Sequence, residues 1–211
     1  MPKDSWMAPF VLGALILTAG DQAWKNKQFS EWTEDDAKEV LKDSPWVKTV
    51  AATVINPPVS AARVHSRGKQ SGPKGAPLPP PILTLRWESA LPVREAELKA
   101  RDTGAPSVDV DHYAIALYGI SRSLLKDNSK VVVEEIKKQA VLKRDGKKDI
   151  KPSSVELLLR EDGPVVVYRF PKSAEFTWRD HRIDFAGKVA NLKFSQEFST
   201  DDMTVHGKLE L

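Results

Sequence analysis

The chain has no cysteine among its 211 residues. That excludes disulfides, zinc–thiolate centres, a cysteine nucleophile and the lipid-modified cysteine of a bacterial lipoprotein. Histidine is scarce, at four, and no two of the four have metal-ligand spacing. No serine lies in a G-x-S-x-G elbow, and no phosphate-cradling glycine loop follows a strand. Neither charge sign is in large excess. The balance of 32 basic against 29 acidic residues leaves +3, which by itself implies neither a nucleic-acid nor a membrane partner. One local shortage is sharper. From Ser44 to Trp87 there is no acidic residue, while Lys48, Arg63, Arg67, Lys69, Lys74 and Arg86 are basic.

What is present is enough apolar side chain for a core, 41% of the chain, under a surface rich in charge. The length suits one domain with appendages. The N-terminal apolar run, Trp6 to Ala19, would span about 21 Å as a helix, against about 30 Å of bilayer hydrocarbon. This length suits a signal peptide, with Thr18-Ala19-Gly20 as small residues for cleavage. A membrane anchor over residues 6–19 and a buried helix are the alternatives. Residues 1–20 are therefore read as a signal peptide or anchor, and the protein as periplasmic or extracellular.

Residues 21–55 follow as an acidic, tryptophan-flanked segment. Thr33 before Glu34, Asp35 and Asp36 predicts a capped helix start, and Pro45 its end. The helix has about three turns, marginal alone in water, so it docks on the domain or on a partner. Trp24, Trp32 and Trp46 flank it, either pinning it in cis or serving as aromatic anchors for a partner. Val47 to Ile55 is rich in β-branched residues and predicts a strand. Residues 56–81 form a linker with seven of the fifteen prolines and three glycines. Its unbalanced positive charge suits an anionic polymer or a membrane surface.

The folded domain is placed at 82–211. Ile82 to Arg101 reads as a strand running into a helix. Leu83, Leu85 and Trp87 alternate with Thr84, Arg86 and Glu88. Ser89 is a candidate cap and Pro92 falls in the first helical turn. Glu95–Lys99 and Glu97–Arg101 are spaced as helical ion pairs. His112 to Ile120 predicts a strand buried on both faces. It returns either as a βαβ-like crossover or antiparallel. Val131 to Val133 is ambiguous in type, and Ser153 to Leu159 reads equally as helix or strand. Asp145-Gly146 and Asp162-Gly163 are turn signals, the first a strong one for a hairpin. Val165 to Phe170 predicts a strand, and a meander runs from Arg182 to Leu211, including one alternating strand to the end. The fold class expected is α+β, a mainly antiparallel sheet with helices on one side and a C-terminal β-meander.

Few residues suggest chemistry. Asp109 and Asp111 are weak candidate metal ligands, because they share one side of an extended chain, while His112 points the other way. No calcium-loop glycine follows them. His181, between Asp180 and Arg182, is a candidate acid–base group. Arg86 is a candidate to hold an anionic group or to pair with Glu88. No cofactor is expected.

Three stretches, EWTEDDAKEVLKDSPWVKTV at Glu31 to Val50, LRWESALPVREA at Leu85 to Ala96 and DMTVHGKLEL at Asp202 to Leu211, resemble a family of uncharacterised exported bacterial proteins. The resemblance implies export and carries no activity and no catalytic residue. Two functions follow as expectations. One is a non-enzymatic binding or assembly module of the cell envelope. It would meet a protein partner through the tryptophan-flanked helix, with Trp32 and Trp46 as anchors, and an anionic polymer or membrane surface through the basic linker. The other is an exported hydrolase built from Asp109, Asp111, His112 or His181, which requires those groups to converge in one cleft.

Overall fold

The structure is a computed structural model, and it describes residues 22–55, 79–125 and 127–211. The apolar run at 6–19 and the basic linker residues 56–78 lie outside the described residues. Among the described residues no helix is long and apolar enough to cross a membrane.

The first helix, α1 (Glu34–Lys42), starts as its sequence dictates. Thr33 accepts from the Asp36 amide at 3.1 Å, and Asp36 returns the contact by accepting from the Thr33 amide at 2.8 Å. Two free amides at the helix start are thereby satisfied. The strands β1 (Val47–Ala51) and β2 (Thr53–Val54) are one extended run interrupted at buried Ala52. Then come β3 (Ile82–Trp87), α2 (Leu91–Ala100) and β4 (His112–Tyr118). The helix α3 (Lys130–Gln139) precedes β5 (Val141–Arg144), β6 (Ser154–Arg160), β7 (Gly163–Pro171), β8 (Arg182–Val189) and β9 (Leu192–Ser199). A terminal hairpin pairs β10 (Thr204–Val205) with β11 (Lys208–Leu209).

The strands form two main antiparallel sheets, ordered β1-β3-β4-β7-β6 and β2-β9-β8-β5. The fold class is therefore α+β with antiparallel sheets and a β8–β9 hairpin in the C-terminal part. The inner faces meet through aromatic edges. Trp87 on β3 lies 5.4 Å from Phe198 on β9, and Tyr168 on β7 lies 5.1 Å from Phe185 on β8, both measured between ring centroids. Such edge-on pairs add to the area they bury. At Ala52 the chain passes from one sheet into the other, so a single strand closes one side of the sandwich. α3 packs against β6 and β8 on another side, while α1 and α2 pack against each other. The chain leaving α2 returns through β4 antiparallel to β3, so the unit is not a βαβ crossover.

Several local expectations change in the tertiary context. Ser89 does not cap α2; its hydroxyl accepts from the Ala114 amide at 3.0 Å, and Ala90 takes the cap position without a side-chain bond. Val131 to Val133 is helical, because Val132, Val133 and Ile136 make one stripe facing the core. Ser154 to Arg160 is a strand. The turn at Asp145-Gly146 does not make a β5–β6 hairpin: β5 pairs with β8, and only Leu142 and Ile150 bridge across the turn. The last stretch is not one strand. His206 and Gly207, with φ of 50° and 77°, fold it back into the β10–β11 hairpin.

The segment 22–55 belongs to the folded core. Trp24 lies within 5.8 Å of Trp32 and 5.9 Å of Trp46, and all three indoles are buried. Trp32 Nε1 donates to the Trp24 carbonyl at 3.1 Å. β1 pairs with β3 along its whole length.

Candidate functional site

The densest group of buried ionisable side chains sits where β3 runs into α2. Alternation along β3 turns Leu83, Leu85 and Trp87 into the core and Arg86 to the opposite face. Register adds the next member: Arg86 pairs with Ala116, and Thr84 with Tyr118. Tyr118 therefore stands on the same face as Arg86, one diagonal away. Glu88 follows two residues after Arg86, and α2 brings Glu97 over the top.

The contacts are short and reciprocal. Arg86 Nε donates to Glu88 Oε1 at 2.9 Å, while Nη2 donates to Glu97 Oε1 at 2.9 Å and to the Tyr118 hydroxyl at 2.8 Å. The Tyr118 hydroxyl in turn donates to Glu88 Oε1 at 2.5 Å. Asp102 lies 3.6 Å from Arg86 Nη2, and Arg94 lies 3.5 Å from Glu97. Glu88 is completely buried, Glu97 is 4% exposed and Arg86 7%.

Glu88 Oε2 is buried without a hydrogen-bond partner. The Glu97 carboxyl is the neighbouring acid. Burial first, then its hydrogen bond to Glu88 and the charge there, push its pKa up to about 9. A carboxyl raised that far keeps its proton at neutral pH, the usual response of a buried acid beside a like charge. Burial works against the charge on Arg86, but the charge and hydrogen bond of Glu88 lead the contacts that outweigh it and keep the guanidinium protonated well above its ordinary range. Burial and the Glu88 charge raise the Tyr118 phenol far above its usual value.

This arrangement can hold a proton and join β3, β4 and α2. It does not offer Arg86 to a free anion, since the guanidinium already faces two carboxyls and a phenol. The expected pairing of Arg86 with Glu88 is present. Glu97 edges onto a shallow cleft of about 390 Å³ formed with Arg94, Leu98, Arg101 and Asp102.

The other sequence candidates are dispersed. Trp32 and Trp46 are buried and offer no anchor surface. Asp109 and His112 meet at 2.7 Å, joined to Arg169 and through it to Glu156. The Asp111 amide donates to Asp109, so Asp109 faces its own loop. His181 lies instead 3.4 Å from Asp201, and both side chains are exposed. Among the described residues, no group of three acidic or histidine side chains is arranged to hold a metal ion.

The acid-free stretch enters and leaves the fold at one place. Ala51 is the register partner of Ile82, and the Ala52 amide donates to the Pro81 carbonyl at 2.8 Å. On the far side of β2, the Ile55 amide donates to the Asn191 carbonyl at 2.7 Å. Next to this exit, Lys188 and Lys193 are direct cross-strand partners, with Thr53 beside Lys193. Like charges placed opposite each other are unfavourable in a ladder. Val54, Ile55 and Ile82 are exposed around the same point.

Sequence reasoning finds Arg86 and Glu88 because strand alternation places them together. It misses Glu97 and Tyr118. Glu97 has the spacing of a surface pair with Arg101, and Tyr118 reads only as strand filling. Comparison with protein-family models, curated proteins and solved structures gave no match.

Proposed function

We propose that this protein is an exported, non-enzymatic binding module of the cell envelope, holding an anionic polymer through its acid-free basic stretch. The observation that carries this reading is the hydrogen-bonded closure of Ala51 and Ala52 on Ile82 and Pro81. The segment that carries Arg63, Arg67, Lys69 and Lys74 thus begins and ends at one edge of the sheets. Binding segments carried by a fixed scaffold are a common use of loops. The opposed Lys188 and Lys193 extend the same positive region onto the β8–β9 surface, where a polyanion would relieve their repulsion. The burial of Trp32 and Trp46 moves the partner surface away from the tryptophan-flanked helix. The hydrolase alternative keeps only the Asp109–His112 contact in its support.

Two measurements test this. Retention of the full chain on immobilised polyphosphate should fall steeply with salt, because each neutralised charge releases counterions. The Arg63→Ala/Arg67→Ala/Lys69→Ala/Lys74→Ala variant should lose most of that retention. A variant that binds as well as the parent would remove the reading. Intact mass from the native cells tests export, with loss of about twenty N-terminal residues expected for a cleaved signal.

A further inference from the structure

One long sheet edge is left open. β6 ends the five-strand order and pairs on one side only, with β7. Arg160 and Gly163 close a two-residue turn, so this pair exchanges both backbone bonds. Such pairs alternate along an antiparallel ladder, which makes Leu158, Glu156 and Ser154 the other bonded members of β6. The amides and carbonyls of Val155, Leu157 and Leu159 therefore point away from β7. Among the described residues, no backbone or side-chain group bonds them. The outer edge of β5, by contrast, is closed, since Leu142 exchanges both bonds with Ile150 at 2.9 Å. Open edges are commonly blunted by proline, lysine or a bulge. Val155 to Leu159 carries none of these. α3 meets β6 from the core side, where Val155 and Leu157 join Ile136 in the main apolar cluster.

The side chains of this edge suit a second copy of it. Leu159, on the core face, is 52% exposed. The outer face carries Glu156, Leu158 and Arg160, and Leu158 rests on the small cluster of Ala114, Ala116, Val165 and Val167. Glu156-Leu157-Leu158-Leu159-Arg160 is apolar in the middle and oppositely charged at its ends. Laid antiparallel on itself about Leu158, the stretch matches. Glu156 then faces Arg160 of the second copy, Leu158 faces Leu158, and Leu157 faces Leu159. The bonded pairs in this register are Leu157 with Leu159, which uses the outward amides and carbonyls. Opposite charges and apolar pairs across strands both favour pairing. Centring on Leu157 instead would set Glu156 against Leu158. A slip by one residue would set outer-face side chains against core-face ones. Arg169 holds Glu156 at 2.6 Å, and a carboxylate accepts from a second donor as well. The arginines in ion pairs among the described residues are Arg86, Arg94, Arg144, Arg169 and Arg182. Arg160 is not among them.

We propose that β6 is a self-association edge, at which a second copy of the chain adds antiparallel about Leu158 and joins the two five-stranded sheets into one. The inference does not depend on the polymer reading, since none of these residues lies between Asn56 and Leu78. A strand edge alone buries less than the roughly 1,200 Å² at which stable interfaces begin, so the dimer forms reversibly.

The absence of cysteine makes a direct test. In the full chain, Leu158→Cys carries the one thiol. The two copies of a non-hydrogen-bonded pair sit about 4.5 Å apart at Cα, within the range of about 4.4–6.8 Å that a disulfide accepts. Mild oxidation should convert most of this variant to a covalent dimer on non-reducing gels. Ser154→Cys leaves the pairing side chains intact, and its two thiols would lie about 25 Å apart along the strands. It should remain unlinked. Linkage of Ser154→Cys as fast as Leu158→Cys, or no linkage of either, overturns the proposal. Sedimentation of the cysteine-free chain gives a second reading. Its apparent mass should rise toward that of a dimer with concentration. Leu159→Lys sets a charge on the exposed end of the edge and should weaken the dimer about tenfold or more. Arg160→Glu sets like charges opposite each other and should weaken it several-fold. Circular dichroism of both variants should match the parent, because neither substitution touches the β6–β7 bonds. If Leu158→Cys does not fold, sedimentation decides: a chain that stays monomeric, or a Leu159→Lys variant that associates as strongly as the parent, overturns the edge as a self-association site.

Discussion

The indole Nε1 of Trp46 donates to the carbonyl of Glu210 at 2.7 Å, across 164 positions of chain. This bond stitches the turn after α1 to the terminal β10–β11 hairpin. Trp46→Phe removes the donor and part of the buried volume. Loss of about 2 kcal/mol is expected, about half from the hydrogen bond and the rest from the space left behind. Deleting residues 208–211 should destabilise less in the Trp46→Phe background than in the parent, since the two changes share one contact. Urea denaturation of the four proteins in that cycle measures it.

Arg86 is the member of the buried cluster that its neighbours cannot do without. Arg86→Met leaves Glu88 buried and without its cation, which predicts a loss of about 3–5 kcal/mol. Adding Glu88→Gln to the same chain should recover part of that loss. If Arg86→Met alone unfolds with the parent's midpoint, the cluster does not contribute as described.

Glu97 predicts how stability changes with alkali. Its carboxyl is raised from an ordinary 4.5 to about 9. Between these values the folded chain keeps a proton that the unfolded chain has released. The contribution is complete below the ordinary value and declines as pH climbs, by at most about 1.4 kcal/mol per pH unit. Glu97→Gln removes the titratable proton. Its urea midpoint should therefore vary less between pH 5 and 9 than the parent's, and parallel curves would count against the raised Glu97 carboxyl.

Asp36 predicts the acid side with the opposite sign. Hydrogen bonds from Lys27, the Thr33 amide and the Thr33 hydroxyl hold its pKa down at about 2. Its contribution is present above the ordinary value of 3.8 and is lost as pH falls toward 2. Asp36→Asn should start from lower stability at neutral pH and lose less on acidification. Circular dichroism along an acid titration reads both features.

Gly187 on β8 faces Phe194 on β9, and a Cβ there would come within 2.6 Å of the ring. Gly187→Ala should therefore destabilise by about 1–3 kcal/mol through overpacking, despite the better strand propensity of alanine. Thermal unfolding checks this, and a neutral or stabilising effect would mean that the ring shifts freely.

Much of the local structure follows from sequence alone, because it depends on neighbours a few residues apart. Thr33 and Asp36 set the start of α1, and Pro45 lies just beyond its end. Alternation set β3 and the opposite faces of Leu85 and Arg86. Asp162-Gly163 set the β6–β7 hairpin, and the antiparallel α+β class follows from these elements together. Contacts between distant segments were decided only in the tertiary structure. The passage of β1 into β2 across two sheets, the pairing of β5 with β8, and the burial of Trp24, Trp32 and Trp46 all depend on surfaces supplied from far along the chain. The site divides in the same way. Arg86 and Glu88 were legible as same-face neighbours two residues apart. Glu97 and Tyr118 joined them only when α2 and β4 packed onto β3. A local pattern fixes the face a side chain takes, but packing decides which charges share that face and how far water is excluded from them.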